Sequence, residues 1–170
     1  MEQLTEILKR LHDGKVEFSL IGGFASRHYG VTLVTEDVDV CARFTPENLR
    51  RIESAFKEFH PRHRLTANKL PFELTDELCL VLKNVCWNTD LGVLDCLSQV
   101  AGIGDFEAVL QKSELTEFPF GNCHVLKIDA LIQAEQAVGR PHDVEAVWQL
   151  KAIKEKNEQE KNFSKSKSQI

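Results

Sequence analysis

Asp37 and Asp39 stand two apart in Glu36-Asp37-Val38-Asp39-Val40-Cys41, a run otherwise fit for a β-strand. Side chains in a strand alternate faces, so the two carboxylates project together and Val38 and Val40 point the opposite way. Two like charges about 4 Å apart repel by roughly 1 kcal/mol in water and about 4 kcal/mol at an effective dielectric of 20. A fold that keeps both must therefore leave that face open to water or bring a cation to it. A solvated edge, or a turn at Thr35-Glu36-Asp37, is the plainer outcome. A divalent metal is the chemical one, because Mg²⁺ takes one or two carboxylates and leaves its other positions to water and phosphate.

Upstream, the apolar run Phe18 to Ile21 breaks into Gly22-Gly23. Paired glycines after a strand serve a tight strand-to-helix turn. They also let the backbone approach a ligand closely. If a helix follows from Phe24, its free N–H groups point at the same spot and favour an anion. A cradle for phosphate followed by two carboxylates for a metal suggests a metal–triphosphate site.

The rest of the chain supplies a modest single core. Its 170 residues, 42% of them hydrophobic, fit one domain. The predicted domain covers residues 1–154. Past Lys154 the chain turns to Lys, Glu, Asn, Gln and Ser, so residues 155–170 are expected to form a polar tail, disordered or at most partly helical. The net charge of −5 argues against a broad nonspecific nucleic-acid surface. No early apolar stretch resembles a signal peptide, and no run reaches membrane-spanning length, so a soluble, cytoplasmic protein is expected. The five cysteines include no Cys-x-x-Cys pair and read as reduced thiols among apolar neighbours. His60 and His63 lack zinc-ligand spacing.

Periodicity predicts helices over about Thr5 to His12, Phe24 to Tyr29 and from Pro46 through Phe59, the last with Thr45 as N-cap. Strands are expected at Val16 to Ile21, Asp37 to Ala42, Leu78 to Val85, Gly92 to Leu97 and His124 to Leu126. Trp87 to Asp90 is read as a hairpin turn, which makes its two flanking strands antiparallel. Asp129 is expected to cap a helix ending at Gly139, and Pro141 to open the last one. The stretch from His60 to Pro71, with Arg62, His63, Arg64 and Lys69, is expected to be an irregular basic loop, either solvated or a rim for phosphate.

Strand, Gly-Gly, short helix, then Asp-x-Asp resembles the polymerase-β-type nucleotidyltransferase superfamily. Leu91-Gly92-Val93-Leu94-Asp95-Cys96-Leu97, Gly102 to Glu107 and Gly139-Arg140-Pro141-His142-Asp143 are similar to its small bacterial minimal, AbiEii-like members. The resemblance runs from about Leu4 to Leu150. It implies an α/β (α+β) fold: a small mixed β-sheet with helices packed mainly on one face. It implies Asp37, Asp39 and Asp95 as catalytic and metal-binding residues for Mg²⁺ or Mn²⁺. Gly22, Gly23, Ser26 and Arg27 would bind the NTP, with Lys127, Arg140 and His142 as weaker candidates. The implied activity is transfer of a nucleoside monophosphate from NTP to a hydroxyl on a protein, an RNA 3′ end or a small molecule. The alternative is an antitoxin-like binding module for a cognate toxin protein. The chain departs from the family at Gly23, where serine is common, and in the long gap from Gly23 to Asp37.

Overall fold

Leu4, Ile7, Leu8 and Leu11 make one apolar stripe, and they are buried on α1 (Glu2–Asp13). The computed structural model describes residues 2–167, with side chains through residue 160. After α1 come β1 (Phe18–Ile21), α2 (Gly22–His28), β2 (Asp37–Ala42), α3 (Pro46–Phe56) and β3 (Arg62–His63). Then follow α4 (Asp76–Val81), β4 (Asn84–Thr89), β5 (Gly92–Leu97), and the short strands β6 (Gln99–Val100) and β7 (Gly104–Asp105). The chain ends with α5 (Phe106–Gln111), β8 (Ser113–Phe118), β9 (Gly121–Leu126), α6 (Ile128–Val138) and α7 (Pro141–Lys167).

Seven strands form one sheet in the order β3-β4-β5-β2-β1-β9-β8, and β6 and β7 pair separately. The sheet is mixed: β1 runs antiparallel to β2, while β2–β5 and β1–β9 are parallel. Alternation then sorts the faces. Val38, Val40, Trp87 and Leu94 join α1 and α3 in the apolar core, with Phe56 and Trp87 rings 6.1 Å apart. On the opposite face α5 covers β1 and β8, where the Ser113 hydroxyl lies 2.7 Å from both Ser19 Oγ and the Val109 carbonyl. Helices α6 and α7 pack on each other and on α2. The mixed α/β sheet is the expected fold class. Among the described residues no helix is long and apolar enough to cross a membrane.

Several local expectations are corrected. The first half of the run expected as a strand from Leu78 to Val85 belongs to α4, which the Thr75 hydroxyl caps by accepting from Leu78 N at 3.2 Å. The strand starts at Asn84 and takes in Trp87, so the turn is Asp90-Leu91; the antiparallel pairing itself is as expected. Helix α2 begins at Gly22, two residues early. Lys127, not Asp129, is the N-cap residue of α6; Asp129 sits in its first turn and pairs with Lys154 at 2.6 Å. Strand β9 is longer than expected and carries a partner, β8, that the sequence did not suggest. The basic stretch holds edge strand β3. Helix α7 runs without a break from Pro141 to Lys167.

Candidate active site

The parallel pairing of β2 with β5 sets Asp39 directly beside Asp95 and Asp37 beside Val93. All three carboxylates therefore stand on one face, with an oxygen from each within 4.8 Å of the others. The Asp95 side chain is 10% exposed and that of Asp37 34%, so the cluster runs from a buried end to an open one. Burial, then the charges of Asp37 and Asp95, pushes Asp39 up to about 7, against Arg64 and Arg140. Burial also raises Asp95, against the Arg64 guanidinium.

Glycine is required at the base of this cluster. Gly22 has φ 62°, and a Cβ there would lie 2.9 Å from that of Asp39. A Cβ on Gly23 would come within 2.7 Å of Thr35 Oγ1. That hydroxyl donates to Asp37 Oδ1 at 3.1 Å. Thr35 thus puts a hydroxyl beside Gly23, the position where the related pattern has serine.

Arg64, Cys86, Asp95 and Asp39 form a row across the sheet. Arg62 and His63 pair with Asn88 and Trp87, and the Arg64 N–H reaches the Cys86 carbonyl at 2.9 Å. Cys86 in turn pairs with Asp95. The Arg64 guanidinium reaches over Cys86, donates to Asp95 Oδ2 and lies 3.8 Å from Asp37 Oδ2. Asp95 Oδ1 and Arg64 Nε are buried without hydrogen-bond partners.

Asp37, Asp39, Arg64 and Asp95 line a cavity of about 370 Å³ with Gly22, Gly23, Thr35, Glu135, Arg140, His142 and Asp143. Arg140 donates to the buried Asp143 from its backbone N–H at 2.8 Å and its Nε at 2.9 Å. Burial works to raise Asp143, and the Arg140 hydrogen bonds outweigh it, so its carboxyl is lowered. Glu135 is raised, by burial first and then by Asp143. A second cavity of about 290 Å³ adjoins the first, sharing Gly22, Asp39, Glu135 and Arg140. Its walls include Leu97, Val100, Ala134 and Val138, with Asn84 and Gln99 among the polar groups.

Gly22, Gly23, Asp37, Asp39 and Asp95 are thus brought together, and Arg140 and His142 join them. Ser26 is buried in α2 with its hydroxyl unpartnered, and Arg27 donates to the Leu33 carbonyl at 2.9 Å, bracing the loop before β2. Neither lines the carboxylate cavity, nor does Lys127. Sequence reasoning missed Thr35 and Glu135, and it left Arg64 unspecified among the basic residues of its loop. No local pattern signals the last, because its place depends on the pairing of β3 with β4.

The all-oxygen cluster suits a hard divalent cation, and the orphaned Asp95 Oδ1 is a donor atom lacking an acceptor role within the protein. Mg²⁺ or Mn²⁺ therefore fits these residues.

No family model matches the chain, and no curated protein matches it in sequence at a significant level. Solved structures do match in fold. The lincosamide antibiotic adenylyltransferase LnuA, bound to lincomycin, superposes with a TM-score of 0.62 at 14% identity, over 90% of this chain and 97% of its own. ANT(2")-Ia in complex with adenylyl-2"-tobramycin gives 0.53 at 16% identity, over 88% of each chain. A Thermotoga maritima protein described as a candidate nucleotidyltransferase gives 0.55 at 19% identity, over 86% of this chain and 88% of its own. With the carboxylates, the glycine pair and these neighbours in agreement, the chain has the nucleotidyltransferase fold.

Proposed function

We propose that this protein moves a nucleoside monophosphate from an NTP to a hydroxyl acceptor. The observation that carries the reading is the convergence of Asp37, Asp39 and Asp95 beside Gly22-Gly23. A pure scaffold has no need of clustered like charges. Mg²⁺ or Mn²⁺ held by the three aspartates would supply charge neutralisation at the phosphates. The Gly22 and Gly23 backbone, at the start of a helix that no side chain caps, would lie against the triphosphate. Ser26 and Arg27 would shape that turn from behind. The acceptor oxygen bonds to the α-phosphorus, the bond from that phosphorus to the bridging oxygen breaks, and pyrophosphate leaves. Asp95 takes the proton of the acceptor hydroxyl.

The adjoining cavity supports a hydroxylated small molecule as acceptor, since it is bounded, largely apolar and contiguous with Asp39. LnuA and ANT(2")-Ia, whose solved complexes contain lincomycin and adenylyl-2"-tobramycin, have the same fold. The test is incubation of the purified protein and metal with each α-labelled NTP and a host extract. Label on a small, protease- and ribonuclease-resistant product is expected. Label sensitive to protease or to ribonuclease would replace that acceptor with protein or RNA. Asp95→Asn should lower transfer about a hundredfold or more, the scale of a lost catalytic base. Absence of transfer from every NTP, with a stable protein partner recovered instead, would favour the binding-module alternative.

A further inference from the structure

Among the described residues, Arg64 alone of the cations near the carboxylates pairs with the buried end of the cluster. Its guanidinium touches Asp95 and stands 3.8 Å from Asp37, the two carboxylates that flank Asp39 in charge coupling. Its main chain is fixed: Arg64 N–H bonds Cys86 O at 2.9 Å, and the preceding His63 ring packs 5.0 Å from Phe72, itself 4.7 Å from Trp87. The side chain is held less completely. Its Nε is buried without a partner, and its only ion pairs among the described residues are with these two aspartates. A cation seated on metal-binding oxygens and a metal cannot both use them, because each would face the other's positive charge at short range.

We propose that Arg64 is the resident counter-cation of the acid cluster, that it gives up Asp37 and Asp95 when a divalent metal enters, and that it then binds the triphosphate. The proposal rests on the nucleotidyltransferase reading. The charge balance favours the exchange only when both ligands arrive. Metal alone must displace a guanidinium from a charge-assisted contact, whereas metal with NTP brings phosphate oxygens that the guanidinium fork fits. Arg64 would thereby suppress loading by metal without nucleotide. Its anchored backbone keeps the displaced side chain at the rim of the cavity.

The test measures binding, not turnover. Mn²⁺ alone is titrated into the full chain at pH 8 and free Mn²⁺ is read by electron paramagnetic resonance. Arg64→Gln should bind Mn²⁺ about tenfold more tightly than the parent, on the scale of one charge-assisted contact. Arg64→Lys, which retains a cation, should stay near the parent. With Mn²⁺ saturating, a non-hydrolysable NTP analogue should bind Arg64→Gln about tenfold more weakly. Opposite signs for metal and nucleotide separate this role from a structural one, which would weaken both. Unchanged or weaker Mn²⁺ binding by a folded Arg64→Gln overturns the proposal while leaving the nucleotidyltransferase reading intact. Failure of both parent and variant to bind Mn²⁺ removes the metal site, and the two fall together.

Discussion

Gly23 and Thr35 share one small space, and each limits the other. A side chain at residue 23 would meet the Thr35 hydroxyl at 2.7 Å and its Cβ at 3.1 Å. Gly23→Ser, which restores the hydroxyl common in related chains, should therefore destabilise the protein by about 1–3 kcal/mol, the usual scale of overpacking. Gly23→Ser with Thr35→Gly should recover most of that loss, so thermal melts of the two single variants and the double variant should be strongly non-additive. Additive losses would mean that the contact does not limit residue 23. Asp39 makes a second prediction. Its folded carboxyl sits near 7 against 3.8 for the free group, so ionising it opposes folding. In the metal-free protein this penalty is absent at pH below the unfolded value and grows as pH rises through about 7. Between pH 5 and pH 8 the parent should lose more stability than Asp39→Asn, measured by urea unfolding at both values. Equal losses would show that Asp39 ionises in the folded protein without cost.

At the level of elements, the sequence disclosed those whose signals are local. The stripe of α1 and the Thr45-Pro46 start of α3 are side-chain patterns that need no partner to be recognised. The short apolar run around Leu78 to Leu82 fits a strand or one turn of helix equally well, and the cap supplied by Thr75 decided for α4. Strand β8 hid for another reason. It lies at the sheet edge, with Glu114 and Glu117 outward, and charges on an edge discourage further pairing while masking its strand character. Arg64 was illegible because its role depends on β3 joining β4, a pairing of strand with strand that no motif in residues 60–71 announces. The three aspartates and two glycines were readable because their chemistry is carried by residue type and spacing. Thr35 and Glu135 use the space left by others, which only the assembled fold defines.

For the whole molecule, the parallel pair of β2 and β5 is a long-range contact. Asp39 and Asp95 are neighbours in the sheet although α3, β3, α4 and β4 lie between them in the chain. Closing so long a stretch costs chain entropy before the strand contact repays it, which places the joining of these strands among the slower steps of folding. A metal held by all three aspartates can recognise only a chain that has completed that step. In stopped-flow experiments Mn²⁺ should slow unfolding and leave the refolding rate nearly unchanged, because it stabilises contacts absent from the transition state. Faster refolding with Mn²⁺ would mean that the cluster gathers early. Late joining of these strands would make the acid cluster a checkpoint on chain maturation: a half-folded copy would offer a metal the two aspartates of β2 without Asp95, and would hold it more weakly than the finished chain.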